Sequence, residues 1–517
     1  MASPESDEIL IDWDRGLVTD AAGGRTVLRA QSLAVLRELH VRAGSLVTKD
    51  ELISKIWPGI AVTDDSLVQC IAELRRAFKD VNHTVIKTLT KRGYIFEKRD
   101  SLPTHNVKAE PTYITTLETI GRNNLQSETT VPEQSIAVLP FANMSGDAEQ
   151  EYFTDGLTED VITDLSNAPG LFVISRNSCF AYKGKPQDIR QIAYDLGVRF
   201  ILEGSVRKSD QRLRITVQLN DATSGNQLWA ERFDRDVADI FALQDEVTAK
   251  IVTTIMGKLK QPLSEKLNPS NLAAYDFYMR GRDLWGISGA ACAQEVSFLE
   301  EALKLDPNYA HALAELGLVQ RVQWLIWSTV VDDNSEVVNR LTLKALSLSP
   351  RDSHVLLCRA WVALSQGLYE EAGRHYELAL TVNPNDADAW LGSGDFYHLT
   401  GERDKAVNSI ANALRLNPTP PAWYYLIVGV ALVSAGKYQQ TVDVLSRDIE
   451  AHASARRFLA VALAKLGRLA EAREQAKLFI ENSPRWQADN FLKKRAYKFQ
   501  DDRNWWREAY LAAGLPS

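Results

Sequence analysis

Gln69, Glu73 and Arg76 recur at intervals of four and three residues, which lines them up along one helix face. An amide, a carboxylate and a guanidinium in a row are groups that read base edges. Gln suits adenine, Glu a cytosine amino group, and Arg guanine or a phosphate, each good bidentate pair giving about 1–3 kcal/mol of discrimination. Arg75 and Arg76 close this stretch, and Val85–Phe96 beyond it reads as a hairpin with Lys91-Arg92-Gly93 at its tip. Helix and hairpin together would set one element in a DNA major groove with a basic ribbon beside it. The plainer alternative is a surface helix with both arginines in solvent.

The neighbouring pattern supports the first reading. Leu67, Ile71, Leu74 and Phe78 share the opposite, inward face. Thr63, Asp64 and Asp65 are cap and first-turn residues that fix where the helix starts. Upstream, Val27–Arg42 reads as a helix with Leu33, Leu36 and Leu39 inward, broken at Gly44. Thr48 and Glu51 have capping-box spacing before a second helix ending Ile56-Trp57. Ile9–Leu28 suits short strands. Residues 1–99 thus read as a winged helix-turn-helix domain of α+β class.

This region resembles the C-terminal effector domain of OmpR/PhoB-type response regulators and of ToxR/CadC/HilA-type one-component regulators. The likeness rests on Ile56-Trp57, the helix Ser66–Phe78 and the wing Lys87-Thr88-Leu89-Thr90-Lys91-Arg92-Gly93-Tyr94. It implies phosphate contacts near Ser66 and Thr88, base contacts from Gln69, Ala72, Glu73, Arg75 and Arg76, and a wing of Lys87, Lys91 and Arg92 in or beside the minor groove. Ala72 and Glu73 depart from a pattern that often carries more arginine there. No receiver precedes the domain in this sequence, so control by aspartyl phosphorylation is not expected.

The 517 residues allow three or more domains. Net charge is −8 and the pI about 5.7, which excludes a basic nucleic-acid coat. A basic patch on an acidic chain suits a site-specific binder. Cys70, Cys179, Cys292 and Cys358 form no CxxC and no disulfide ladder, pointing to a reducing cytoplasm. Cys70, on the candidate helix, reads as a small neutral residue rather than a redox switch. Neither a signal peptide nor an apolar run long enough for a bilayer is evident, so no membrane partner is expected.

Residues 100–133, rich in Thr, Asn, Glu and Pro, read as a tether with a span on the order of 30 Å. From 134 to 258 the pattern βαβαβββα gives an α/β domain with an antiparallel portion. Its strands are Ser135–Phe141, Leu171–Ser175, Phe200–Val206, Arg212–Leu219 and Gln227–Phe233, and its helices Thr158–Leu165, Asp188–Leu196 and Ala242–Ile255. The phrases SIAVLPFANMSGD, EYFTDGLTEDVITDLS and FILEGSVR resemble the TolB-N-terminal-like (FlgO-like) module, which implies a non-catalytic sensing or assembly role. Asp155, Glu159, Asp160 and Asp164 read as acids at a helix start rather than a metal site. Arg176 and Lys183 read as a solvated face rather than an anion site. No Walker A, HExxH or GxSxG motif is present, the eight histidines are dispersed, and no catalytic residue, metal or cofactor is expected.

Pro350, Pro384 and Pro418 are spaced by 34 residues, and Gly367, Gly401, Gly436 and Gly467 recur similarly. That period is the tetratricopeptide length, so residues 272–485 read as an all-α solenoid of about six helix pairs. Residues 486–517, around Trp505-Trp506, read as a cap. The interval Pro307–Pro350 is longer, with its excess near Trp324–Trp327. The concave face would hold a protein or peptide.

The chain therefore reads as a cytoplasmic one-component regulator of transcription, a non-enzyme binding promoter DNA. RNA polymerase contact and homo-oligomerisation are further expectations. The alternative is an interaction scaffold, for example beside a nucleotide cyclase, with a winged helix that binds protein.

Overall fold

In the computed structural model the chain forms two units, Met1–Glu110 and Pro111–Ser517. The structure describes residues 10–12, 17–19, 25–41, 47–56, 64–78, 85–89 and 93–96 of the first unit. It describes 131–517 of the second, apart from 146, 148–149, 186–187, 210–211, 258–270, 283, 286–288, 328–332, 448 and 450–452. Most of the expected tether lies outside the described residues, as do Trp57, Thr63, Lys91 and Arg92.

The first unit opens with an antiparallel sheet of β1 (Leu10–Asp12), β2 (Leu17–Thr19) and β3 (Arg25–Val27). Val27 ends this sheet, so the first helix, α1, starts later than its pattern suggested and spans Ala30–Val41. Next come β4 (Val47–Thr48), α2 (Lys49–Ile56) and α3 (Asp64–Ala77), then the hairpin β5 (Ile86–Leu89) and β6 (Gly93–Phe96). The capping box forms: Glu51 Oε2 accepts from Thr48 N at 2.8 Å, and Thr48 Oγ1 accepts from Glu51 N at 3.3 Å. Leu67, Ile71, Leu74 and Phe78 are buried with Leu36, Leu39, Leu52 and Phe96. Burying the apolar stripe of α3 dictates that its other face looks outward.

β6 lies between β4 and β5, and Gly93 pairs with both Thr48 and Leu89. A Cβ at Gly93 would stand 2.0 Å from the Val47 carbonyl oxygen, so only glycine lets β4 close on β6. Gly93→Ala is expected to cost about 1–3 kcal/mol, as overpacking does. Hydrogen exchange of full-length protein read by mass spectrometry checks this: β4 and β6 should lose protection, and unchanged protection would contradict the packing argument.

The second unit begins with β7 (Ser135–Val138). This strand stops short of Phe141 because Pro140 has no N–H for a ladder. The chain resumes as β8 (Ala142–Asn143), then α4 (Glu151–Ser166), β9 (Phe172–Val173), α5 (Arg176–Phe180) and α6 (Ile189–Leu196). The strands β10 (Phe200–Ser209), β11 (Arg212–Asp221) and β12 (Asn226–Asp236) precede α7 (Ile240–Met256). Strand order is β12-β11-β10-β7-β9, with β8 also on β10. β7 runs parallel to β9 and β10, while β10, β11 and β12 are antiparallel. The pattern had not revealed α5 or the first two turns of α4.

A helical array follows: α8 (Leu272–Arg282) with α9 (Gly289–Leu305), α10 (Ala310–Val322) with α11 (Ser335–Leu348), and α12 (Ser353–Ser365) with α13 (Tyr369–Val382). Then come α14 (Ala387–Leu399) with α15 (Arg403–Leu416), α16 (Tyr424–Ser434) with α17 (Tyr438–Leu445), and α18 (Arg456–Lys465) with α19 (Leu469–Asn482). Gly367, Gly401, Gly436 and Gly467 turn each later pair with φ between 71° and 82°, a left-handed conformation that suits glycine. At Gly394 a Cβ would meet the Ile410 side chain at 2.9 Å, which explains a small residue where paired helices meet. The excess after Pro307 extends α10 as a π-helical turn over Gln323–Trp327.

Two final helices, α20 (Ala488–Lys494) and α21 (Gln500–Ala512), fold back on the array. Trp506 is buried against Phe458, His398 and Tyr510, and Arg495 pairs with Asp395 on α14. At the other side of the array, the α/β module sits against the loops between repeats. Asn385 accepts from Val173 N at 3.3 Å and donates to the carbonyls of Ser166 and Leu171 at 3.0 and 2.8 Å. Ser175 N donates to Leu416 O at 2.8 Å, and Ser178 Oγ meets Asn417 Oδ1 at 2.6 Å.

Candidate nucleic-acid interface

Gln69 and Arg76 are exposed on α3, and Lys87 is exposed on β5. Ser66 and Ala72 also lie on α3, and Thr88 on β5 opposite Tyr94, but their side chains fall outside what is described. Two residues expected at bases have other work. Glu73 accepts from Arg29 N at 3.0 Å, Arg29 Nε at 2.6 Å and buried Ser32 Oγ at 2.9 Å. Its carboxylate therefore joins α3 to the start of α1. Arg75 donates from Nε and NH2 to Ile86 O at 3.3 and 2.6 Å, which ties α3 to the hairpin. At both positions an intradomain partner lies within reach of the side chain. This brace joins α3 to α1 through Glu73 and to the hairpin through Arg75.

Burial opposes charge on Glu73, but the hydrogen bonds from Arg29 and Ser32 and the Arg29 charge outweigh it and hold the carboxyl below its ordinary value. A depressed folded-state value means its stabilisation is complete above the unfolded pKa and lost as pH falls through the folded one. Glu73→Gln should cost about 1–3 kcal/mol at neutral pH and remove that acid dependence. Protection of α3 across an acid titration, corrected for intrinsic exchange, measures both. Equal slopes in the two proteins would contradict the brace.

In the second unit, α4 starts at Glu151, so Asp155, Glu159, Asp160 and Asp164 lie beyond its first turn and are not acids at a helix start. Asp155 binds Lys183, Glu159 binds Arg176 at 3.1 Å and also Arg282, and Asp160 takes hydrogen bonds from Tyr275 and Gln244. Arg176 and Lys183 thus neutralise acids. A cavity of about 450 Å³ lies between this module and the first helices of the repeats. Its wall carries Arg282, His311, Glu315, Asp352, His354 and Asp388.

Histidines dispersed in sequence meet here. His311 Nε2 lies 2.8 Å from Asp352, and His354 Nε2 lies 2.6 Å from Glu315 and 3.6 Å from Cys358 Sγ. Burial pushes His354 down, but Cys358 and Glu315 lift it well above its ordinary value. Burial and the neighbouring Glu315 push Glu295 up to about 10. Burial and Asp386 raise Asp388 to about 6. One signal was available: His311 to His354 and Glu315 to Cys358 both span 43 residues, as Pro307 to Pro350 does. They are equivalent positions of consecutive repeats.

Comparison with known proteins agrees with this architecture. The model for the C-terminal domain of transcriptional regulatory proteins matches residues 23–96, and that for the second domain of HilA/YgeH-like transcriptional regulators matches 132–250. Tetratricopeptide repeat models match 363–427 and 428–485. The chain thus carries an OmpR/PhoB-type winged-helix domain, a HilA-like middle domain and a tetratricopeptide array.

Among individual relatives, Transcriptional regulator HilA of Salmonella typhimurium is 21% identical over 431 residues, 80% of this chain and 71% of that protein. Transcriptional activator CadC of Escherichia coli K12 is 19% identical over 490 residues, 79% of this chain and 92% of that protein. Putative adenylate cyclase 3 of Rhizobium meliloti is 48% identical over 205 residues, 39% of this chain but 35% of that protein. The chain therefore spans about a third of the cyclase relative's length. Among the described residues, no helix is long and apolar enough to cross a membrane.

Proposed function

We propose that this chain is a sequence-specific, promoter-binding regulator of the one-component type. The observation that carries the reading is the braced α3, with Leu67, Ile71 and Leu74 buried and Gln69 and Arg76 exposed on its other side. In this reading Gln69 and Arg76 touch base edges beside Ala72, and Ser66 and Thr88 meet phosphates. Lys87, Lys91 and Arg92 form the wing contacts. Arg75 and Glu73 are positioning residues. The second unit acts in the cytoplasm as the sensing or partner-binding part, and RNA polymerase contact and self-association belong to the same proposal.

Arg76→Ala should lose about 1–3 kcal/mol of discrimination between sites. Lys91→Ala should weaken all sequences alike and lower the salt slope by about one. Binding isotherms at several salt concentrations separate the two, and unchanged affinity and selectivity in both variants would refute the assignment. The 48% identity to a putative adenylate cyclase favours a second reading, a signalling scaffold linked to nucleotide cyclisation. That reading requires no DNA retention at all.

A further inference from the structure

We propose that the second unit binds one divalent transition-metal ion of the zinc class through Glu315, His354 and Cys358, at the wall of its internal cavity. The inference is independent of DNA binding. Glu315 comes from α10, and His354 and Cys358 lie one turn apart on α12, so two consecutive repeats supply the three ligands. A carboxylate oxygen, the imidazole Nε2 and the thiol Sγ all lie within 4.8 Å of one another. Such a mixed oxygen, nitrogen and sulfur set suits zinc and its neighbours rather than magnesium or calcium.

The spacing fits. Tetrahedral zinc with bonds of about 2.0 Å to nitrogen and about 2.3 Å to sulfur sets those two atoms about 3.5 Å apart. The observed Nε2 to Sγ separation is 3.6 Å. Glu315, at 2.6 Å from Nε2, must retreat by under about 1 Å to become a ligand rather than a hydrogen-bond partner.

Charge and burial point the same way. Glu315 and Cys358 are buried, and Glu295 beside Glu315 is fully buried, with no donor to either carboxyl oxygen among the described residues. Binding sends the His354 proton and the Cys358 proton to solvent. A divalent ion, one carboxylate, one thiolate and a neutral imidazole then sum to zero. Glu295 stands behind Glu315 as the group that orients it. Glu315 and His354 both face the cavity, which gives the ion an entry path and its fourth position a water or a ligand.

Full-length protein, stripped with a chelator and reloaded with Co²⁺, tests the proposal. It should retain about one equivalent through gel filtration and show thiolate-to-cobalt charge-transfer absorption. Cys358→Ser and His354→Gln should each lose the retained ion and the band. Cys179→Ser, whose thiol bonds Ile174 O in the α/β module, should keep both. Glu295→Gln should weaken affinity about tenfold or more. Far-UV circular dichroism identifies any variant that fails to fold, and Cys358→Ser, which alters one atom, carries the decision. No retained cobalt, retention without the band, or equal retention by Cys358→Ser would each overturn the site.

Discussion

Trp506→Ala should destabilise the second unit by about 3–5 kcal/mol, because it empties a site filled by a fully buried indole. Trp506 is 1% exposed, and its ring lies 5.8 Å from Phe458, 5.9 Å from His398 and 5.2 Å from Tyr510. Those three belong to α18, α14 and α21, so one indole joins the cap to two separate repeats. Solenoid stability is a sum of neighbour interfaces, and the last repeat has only the cap to cover its outer face. Denaturant unfolding followed by far-UV circular dichroism should show early loss of the last helices. Trp505→Ala, at a half-buried position beside Lys465, should cost distinctly less. Equal effects of the two substitutions would contradict the assignment of Trp506 as the anchor.

Asn385→Ala should cost about 3 kcal/mol or more, from three backbone groups left without partners at about 1–3 kcal/mol each. The amide satisfies Val173 N and the carbonyls of Ser166 and Leu171, all in the α/β module, from the loop before α14. Shape alone cannot replace it, because no nearby apolar contact supplies two donors and one acceptor. Asn385→Asp keeps the acceptor and loses the donors, so its loss should exceed that of a neutral surface change. Limited proteolysis of the full chain reads the consequence directly: cleavage between module and repeats should speed up in Asn385→Ala. An unchanged cleavage rate would mean that the remaining contacts hold the module without this amide.

Much of the architecture was legible because its causes are local. The stripe Leu67, Ile71, Leu74, Phe78, the Thr48–Glu51 box and the glycines of the repeat turns act within a few residues of themselves. The repeat number follows from such signals. What the sequence hid acts across long separations. Glu73 meets Arg29 and Ser32 at separations of 44 and 41 residues, and nothing local distinguishes a carboxylate aimed at DNA from one aimed at its own domain. Asn385 reaches Ser166 across 219 residues. Acids of α4 resemble a helix start until Arg282, from the first repeat, is seen to pair with Glu159. The Glu315, His354 and Cys358 cluster leaves only one trace in the sequence, the 43-residue offset that Glu315 and Cys358 share with His311 and His354.

The central claim is that braced α3 and the wing select particular DNA sequences. Purified full-length protein incubated with fragmented DNA from its source genome at near-physiological salt, with retained fragments sequenced, tests it most directly. The account predicts a small set of enriched promoter fragments sharing a site, lost in the Arg76→Ala/Lys91→Ala double variant. Uniform retention, no retention, or identical enrichment by the double variant would contradict it.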